Sequence, residues 1–218
     1  MPDPEFTWQQ TDDRFVMDGP GGRVTFARTD DRWTHHLAFR AGPAAGAGFT
    51  SLVWTVEAEP GREDPTRIVS PVYQELQRHE FVGDHIRGVC VLLTGHMHQH
   101  HFSASVSLYR DQEAERFVVL EIDVADRCRA PVSALAATYL VRLGSSELAD
   151  AGQHAITWSG SAPEAEPGPK RLELRCDSPG SAALAEAGRN ATRVQVLAAI
   201  DPTVFTHRLR YRWRWSCP

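Results

Sequence analysis

Apolar and polar positions alternate with a period of two over most of this chain, the pattern of strands that bury one face and wet the other. It is cleanest over residues 117–124. There Val118, Leu120, Ile122 and Val124 point one way, and Phe117, Val119, Glu121 and Asp123 the other. The same alternation predicts strands over 23–28, after the turn Gly19-Pro20-Gly21-Gly22, and over 33–39 and 50–58. Residues 68–81 read as extended, with Pro71 marking an edge position or a bulge. Shorter strands are predicted over 136–143, 153–158 and 171–176. Residues 192–200 and 204–215 read as a closing hairpin about Asp201-Pro202.

One segment departs from the pattern. Residues 181–187 (SAALAEA) are helix formers, with Ser181 placed to cap the start and Gly188 to end it, so a short helix is expected there. Residues 41–48 and 161–169 are rich in Gly, Pro and Ala and read as loops. With no internal repeat and no long linker, the pattern predicts a single all-β domain over residues 1–218. It is an antiparallel β-sandwich or β-barrel with one or two short helices.

Composition narrows the partners. At 42% hydrophobic and 23% charged the chain has the make-up of an ordinary globular domain. Its net charge of -5 speaks against a nucleic-acid binder. The basic residues are almost all arginine, with Lys170 the one lysine, which reads first as a coding bias. The first residues, Met1-Pro2-Asp3-Pro4-Glu5, lack the charged and apolar regions of a signal peptide. No run approaches the ~18 apolar residues of a membrane span. The expectation is a cytoplasmic protein with no membrane partner, free to form a homo-oligomer through edge strands. Cys90, Cys128, Cys176 and Cys217 are too far apart for a CxxC motif and read as small buried packing residues.

The candidate chemistry is concentrated in Thr94-Gly95-His96-Met97-His98-Gln99-His100-His101-Phe102, which holds four of the ten histidines. Histidine is the commonest transition-metal ligand and the usual proton carrier near neutral pH. Read as one strand, residues 96–109 put His96, His98 and His100 on the apolar face with Phe102, Ala104, Val106 and Leu108. Residues two apart on a strand lie about 6.6 Å apart, so His96 with His98, or His98 with His100, can chelate one ion. Further ligands must come from other strands, with Glu75, His79, His85, Glu121 and Asp123 as candidates by type. Thr94-Gly95 reads either as a tight turn or as a kink in one long strand. In the turn reading Val91 lies opposite His98, and Leu93 opposite His96.

The leading expectation is therefore a metal-binding β protein using His96, His98 and His100. A divalent transition metal is the expected cofactor, zinc first, with copper, nickel and iron(II) also compatible. The sequence does not fix whether it is an enzyme; metal-assisted hydrolysis or oxygen chemistry is the natural class if it is one. The phosphate-loop, dinucleotide, nucleophile-elbow and HExxH signatures are missing. The alternative is a non-enzymatic module that binds an anionic small molecule or a protein partner. Arg208, Arg210, Arg212 and Arg214 form a ladder on one face of the last strand, opposite Leu209, Tyr211, Trp213 and Trp215. The plainer reading of that ladder is pairing with acidic neighbours across strands.

Overall fold

The computed structural model describes residues 6–40, 48–58, 64–79, 88–111, 114, 116–142, 147–159, 169–177, 179–187 and 191–216. Among them lie seventeen strands and no helix. The first five, β1 (Thr7–Gln10), β2 (Arg14–Gly19), β3 (Gly22–Thr29), β4 (Arg32–Arg40) and β5 (Phe49–Thr55), pair each with the next. Two short strands follow, β6 (Arg67–Ile68) and β7 (Glu75–His79). The long strands β8 (Gly88–Met97), β9 (His100–Arg110) and β10 (Phe117–Cys128) come next. The remainder are β11 (Ala134–Val141), β12 (Glu147–Ala151), β13 (Ala155–Ser159), β14 (Arg171–Cys176), β15 (Ser181–Ala187), β16 (Thr192–Leu197) and β17 (Thr206–Ser216). They build two sheets packed as a sandwich. The first runs β1-β2-β3-β4-β5-β11-β16-β15, and the second β12-β13-β14-β17-β10-β9-β8-β7. Pairing is antiparallel except where β6 joins β11.

The alternation explains the core. Val118, Leu120, Ile122 and Val124 of β10 are buried beside Phe102, Val106 and Leu108 of β9 and Leu209, Tyr211, Trp213 and Trp215 of β17. Phe15, Met17, Phe26, Leu37 and Phe39 belong to the first sheet and join the same core. Phe39 meets Trp215 edge-on at 5.4 Å, and Tyr139 meets Trp213 at 5.2 Å. The predicted turn Gly19-Pro20-Gly21-Gly22 is a two-residue connection in which Gly21 adopts φ 70. It sits on Trp215, whose indole N–H donates to the Pro20 carbonyl at 3.1 Å. A Cβ on Gly22 would come within 2.6 Å of that indole.

A polar chain crosses the core. His35 of β4 shares a hydrogen bond with the Tyr139 hydroxyl of β11 at 3.0 Å, and that hydroxyl meets the Tyr211 hydroxyl of β17 at 2.6 Å. The adjoining cavity of about 20 Å³ has room for about one water, so the chain stitches the two sheets together and leaves no space for a ligand. Burial, with neighbouring His36, pushes the His35 pKa down to about 3. Burial likewise raises Tyr139 and Tyr211, so all three groups are neutral.

Three expectations are corrected. Residues 181–187 form strand β15, not a helix, pairing Ala182 with Val196 and Leu184 with Val194. Seven residues make a marginal helix in isolation, and sheet pairing overrides the alanine propensity. The closing hairpin about Asp201-Pro202 does not form: β16 belongs to the first sheet and β17 to the second, so the connection passes from one layer to the other. Thr94-Gly95 is not a turn either. It lies inside β8, where a Cβ on Gly95 would collide with the Val72 carbonyl and come within 2.7 Å of the Tyr73 Cα. The glycine admits the 72–74 segment, and the Gln74 side chain then clamps the His96 backbone, accepting from its N–H at 2.7 Å and donating to its carbonyl at 3.1 Å. The loops expected at 41–48 and 161–169 fall almost wholly outside the described residues, as do Cys217 and His85. Cys90, Cys128 and Cys176 are buried, as expected of packing residues.

Candidate functional site

The chain reverses at His98-Gln99, between β8 and β9. Met97 pairs with His100 and His96 with His101 across the hairpin. A two-residue hairpin loop needs positive φ at its first central position, usually supplied by glycine. Here His98 takes it, at φ 56. The expected shared face of His96, His98 and His100 is thereby overturned, because a reversal inside the cluster gives each ring its own surroundings. Val91 lies opposite Val106 and Leu93 opposite Ala104, not opposite the histidines. His98→Gly is expected to stabilise the fold by about 1 kcal/mol, the strain of the left-handed conformation. A shift of the urea midpoint to higher concentration would show it.

His100 turns inward and is fully buried. Its Nδ1 faces Asp126 Oδ2 at 2.7 Å and its Nε2 faces the Pro65 carbonyl at 2.9 Å. Both neighbours are acceptors, so both ring nitrogens donate and the ring is an imidazolium. Burial opposes that charge, but the hydrogen bonds to Asp126 and Pro65 outweigh it and hold the pKa above its ordinary value. Asp126 is fully buried and lies directly opposite His207 of β17. His207 is buried too; its Nε2 donates to the Asp201 carbonyl at 3.1 Å. Asp126 Oδ1 and His207 Nδ1 have no hydrogen-bond partner among the described residues.

The outer face of the same strand ends is cationic. His101 pairs in register with Arg127. Together with His98, Gln99 and Arg129 they line an open concavity of about 630 Å³. The four ladder arginines of β17 are matched to carboxylates: Arg208 to Asp123 at 2.7 Å, Arg210 to Glu121, Arg212 to Asp177 and Arg214 to Asp111, each at 2.9 Å. The ladder is thus the cross-strand pairing that its alternation suggested. Arg127 and Arg129 are exposed and form no ion pair with any described residue.

The remaining candidate ligands are dispersed. Glu75 accepts from Thr94 at 2.8 Å, and Glu121 accepts from Tyr109 at 3.1 Å as well as from Arg210. His79 stands opposite Cys90, at the far end of its strand pair from His96. The His96 and His101 rings lie 6.5 Å apart. Among the described residues no group of three or more His, Cys, Asp and Glu side chains is gathered around a point where one metal ion could sit.

The sequence reading missed Asp126, Arg127, Arg129 and His207. Their signal was the alternation itself. The inward parity of residues 118–124, carried two residues further, lands on Asp126 and then Cys128. The parity of Leu209 to Trp215, carried back, lands on His207. Compared with models of known protein families and with curated proteins, the chain matches none.

Proposed function

We propose that this protein is a non-enzymatic binding module that takes an anionic ligand at the β8–β9 hairpin end. Arg127 and Arg129 are the principal contacts, and His98, Gln99 and His101 complete the rim. One observation carries the reading: two exposed arginines with no ion pair to any described residue share a concavity with two histidines, whereas the four ladder arginines of the same sheet are matched to acids. Guanidinium donors in a fork suit phosphate and carboxylate oxygens. The buried His100–Asp126 pair supports the rim from beneath, since His100 precedes His101 and Asp126 precedes Arg127 on the same strands.

Inorganic pyrophosphate is the probe. Calorimetric titration at low salt is expected to show binding that weakens as ionic strength rises. Hydrogen bonds to charged groups contribute roughly 1.5–3 kcal/mol each. Arg127→Gln and Arg129→Gln should therefore each weaken binding about tenfold or more, while Arg208→Gln leaves it unchanged. Equal losses in all three variants would mean a diffuse charge effect and no site.

The competing reading is a transition metal at His96, His98 and His100. His100 could join it only by giving up Pro65 or Asp126 at one ring nitrogen, and it is fully buried while His96 and His98 are exposed, which favours the anion. Titration with zinc, copper, nickel and iron(II) decides between them. A stoichiometric metal site lost in His98→Ala would displace the anion reading.

A further inference from the structure

We propose that the ligand at this end is the surface of an anionic phospholipid bilayer, with Val204 and Phe205 entering the headgroup layer beside the cationic rim. The inference rests on the anion-binding reading and names its ligand class. Among the described residues Phe205 is the most exposed of the large hydrophobic side chains, at 65%, and its neighbour Val204 is 43% exposed. They are consecutive and stand in the connection from β16 to β17.

That connection is built to hold them outward. Asp201 Oδ1 accepts from the Thr203 N–H at 2.9 Å and from its hydroxyl at 2.6 Å, and the Val204 N–H donates to the Asp201 carbonyl at 3.3 Å. Buried His207 grips the same carbonyl from below. The Phe205 carbonyl accepts from the Cys128 N–H at 2.9 Å. That contact sets the Phe205 backbone opposite Cys128, the residue between Arg127, which pairs in register with Thr206, and Arg129. Asp126, next to Arg127 in the chain, points inward and is paired with His100, while Asp64 and Asp201 both accept hydrogen bonds within their own turns.

The shape argues for a bilayer over a protein. A protein partner needs a pocket matched to a projecting aromatic and a buried area of roughly 1,200–2,000 Å². A two-residue apolar tip on a cationic rim suits a deformable anionic surface, where binding sums inserted apolar area and attraction to charged lipids. Peripheral docking of this kind needs no spanning segment, and no helix of the described residues is long and apolar enough to cross a membrane.

The test is co-sedimentation of the whole protein with vesicles of phosphatidylcholine alone and of phosphatidylcholine mixed with phosphatidylserine. Pyrophosphate titration runs alongside. Binding to the mixed vesicles only is expected, weakened about tenfold or more by Phe205→Ser and also by Val204→Ser, with pyrophosphate affinity and thermal midpoint unchanged in both. Arg127→Gln should weaken both kinds of binding. Pyrophosphate binding without vesicle binding would overturn the membrane proposal and leave the anion site standing. Vesicle binding indifferent to both serine variants would overturn it as well, because the tip would then play no part. Retention on polyglutamate in place of vesicles would reassign the surface to an acidic protein. Loss of all binding would remove the anion-binding reading and this inference together.

Discussion

Asp126→Ala is expected to destabilise the protein by about 3–5 kcal/mol, because it removes one partner of a buried ion pair and strands the other. His100 would keep only the Pro65 carbonyl, and an imidazolium without its counter-charge is costly in a site that excludes water. Asp126→Asn keeps the shape and removes the charge. His100 then becomes neutral while Nε2 still donates to Pro65, so a smaller loss is expected. The pH dependence separates the charge from the packing. The His100 pKa is raised in the folded state. Its stabilising contribution is complete below the pKa of the unfolded chain and is lost as pH rises through the folded value. Denaturant titrations across the neutral to alkaline range should show that decline in the native protein and not in Asp126→Asn. A loss below about 1 kcal/mol in Asp126→Ala would mean that the pair contributes little beyond an exposed ion pair.

Acid acts through His35, with the opposite sign. Burial in the folded state holds its pKa down, to about 3 from the ordinary 6.5. Below the unfolded pKa the unfolded chain takes up a proton that the folded ring refuses. Stability then falls by about 1.4 kcal/mol for each pH unit, until the folded pKa is reached. Scanning calorimetry between neutral pH and about pH 4 should follow that slope, and His35→Gln should flatten it. Glutamine can still bond the Tyr139 hydroxyl but does not titrate. A slope unchanged in His35→Gln would place the acid sensitivity elsewhere. The two buried histidines thus bracket the stable range, His35 from the acid side and His100 from the alkaline side.

Why the architecture was legible and the site was not follows from which signals are local. Alternation over 117–124 and 209–215 is a property of neighbouring residues, so those strands and their inward faces could be read directly. The same parity predicted that the arginine ladder pairs with acidic neighbours, but not which ones. The hairpin at His98-Gln99 could not be read, because the residue taking positive φ is a histidine with no turn propensity. Gly95, the residue that resembled a turn signal, is required by a long-range contact with residues 72–74. With the reversal misplaced by four residues, His96 was put on the core face beside His100, whereas it lies across from exposed His101 on the outer face. The buried imidazolium was then read as a potential metal ligand. The alanine-rich β15 failed for a similar reason, since its state is set by β16 alongside it. Asp126 and His207 carried a signal that parity could have revealed, but an isolated polar residue at the end of an apolar stripe resembles the strand's edge.

The central claim is that the rim at the β8–β9 hairpin, and not the paired arginine ladder, receives the anion. Its most direct test is nuclear magnetic resonance on isotopically labelled protein titrated with pyrophosphate, following arginine Nε–H and histidine ring signals. The expected result is saturable shifts confined to Arg127, Arg129, His98 and His101, with Arg208, Arg210, Arg212 and Arg214 unmoved. Shifts centred on those four ladder arginines, or no saturable shift at all, would contradict it.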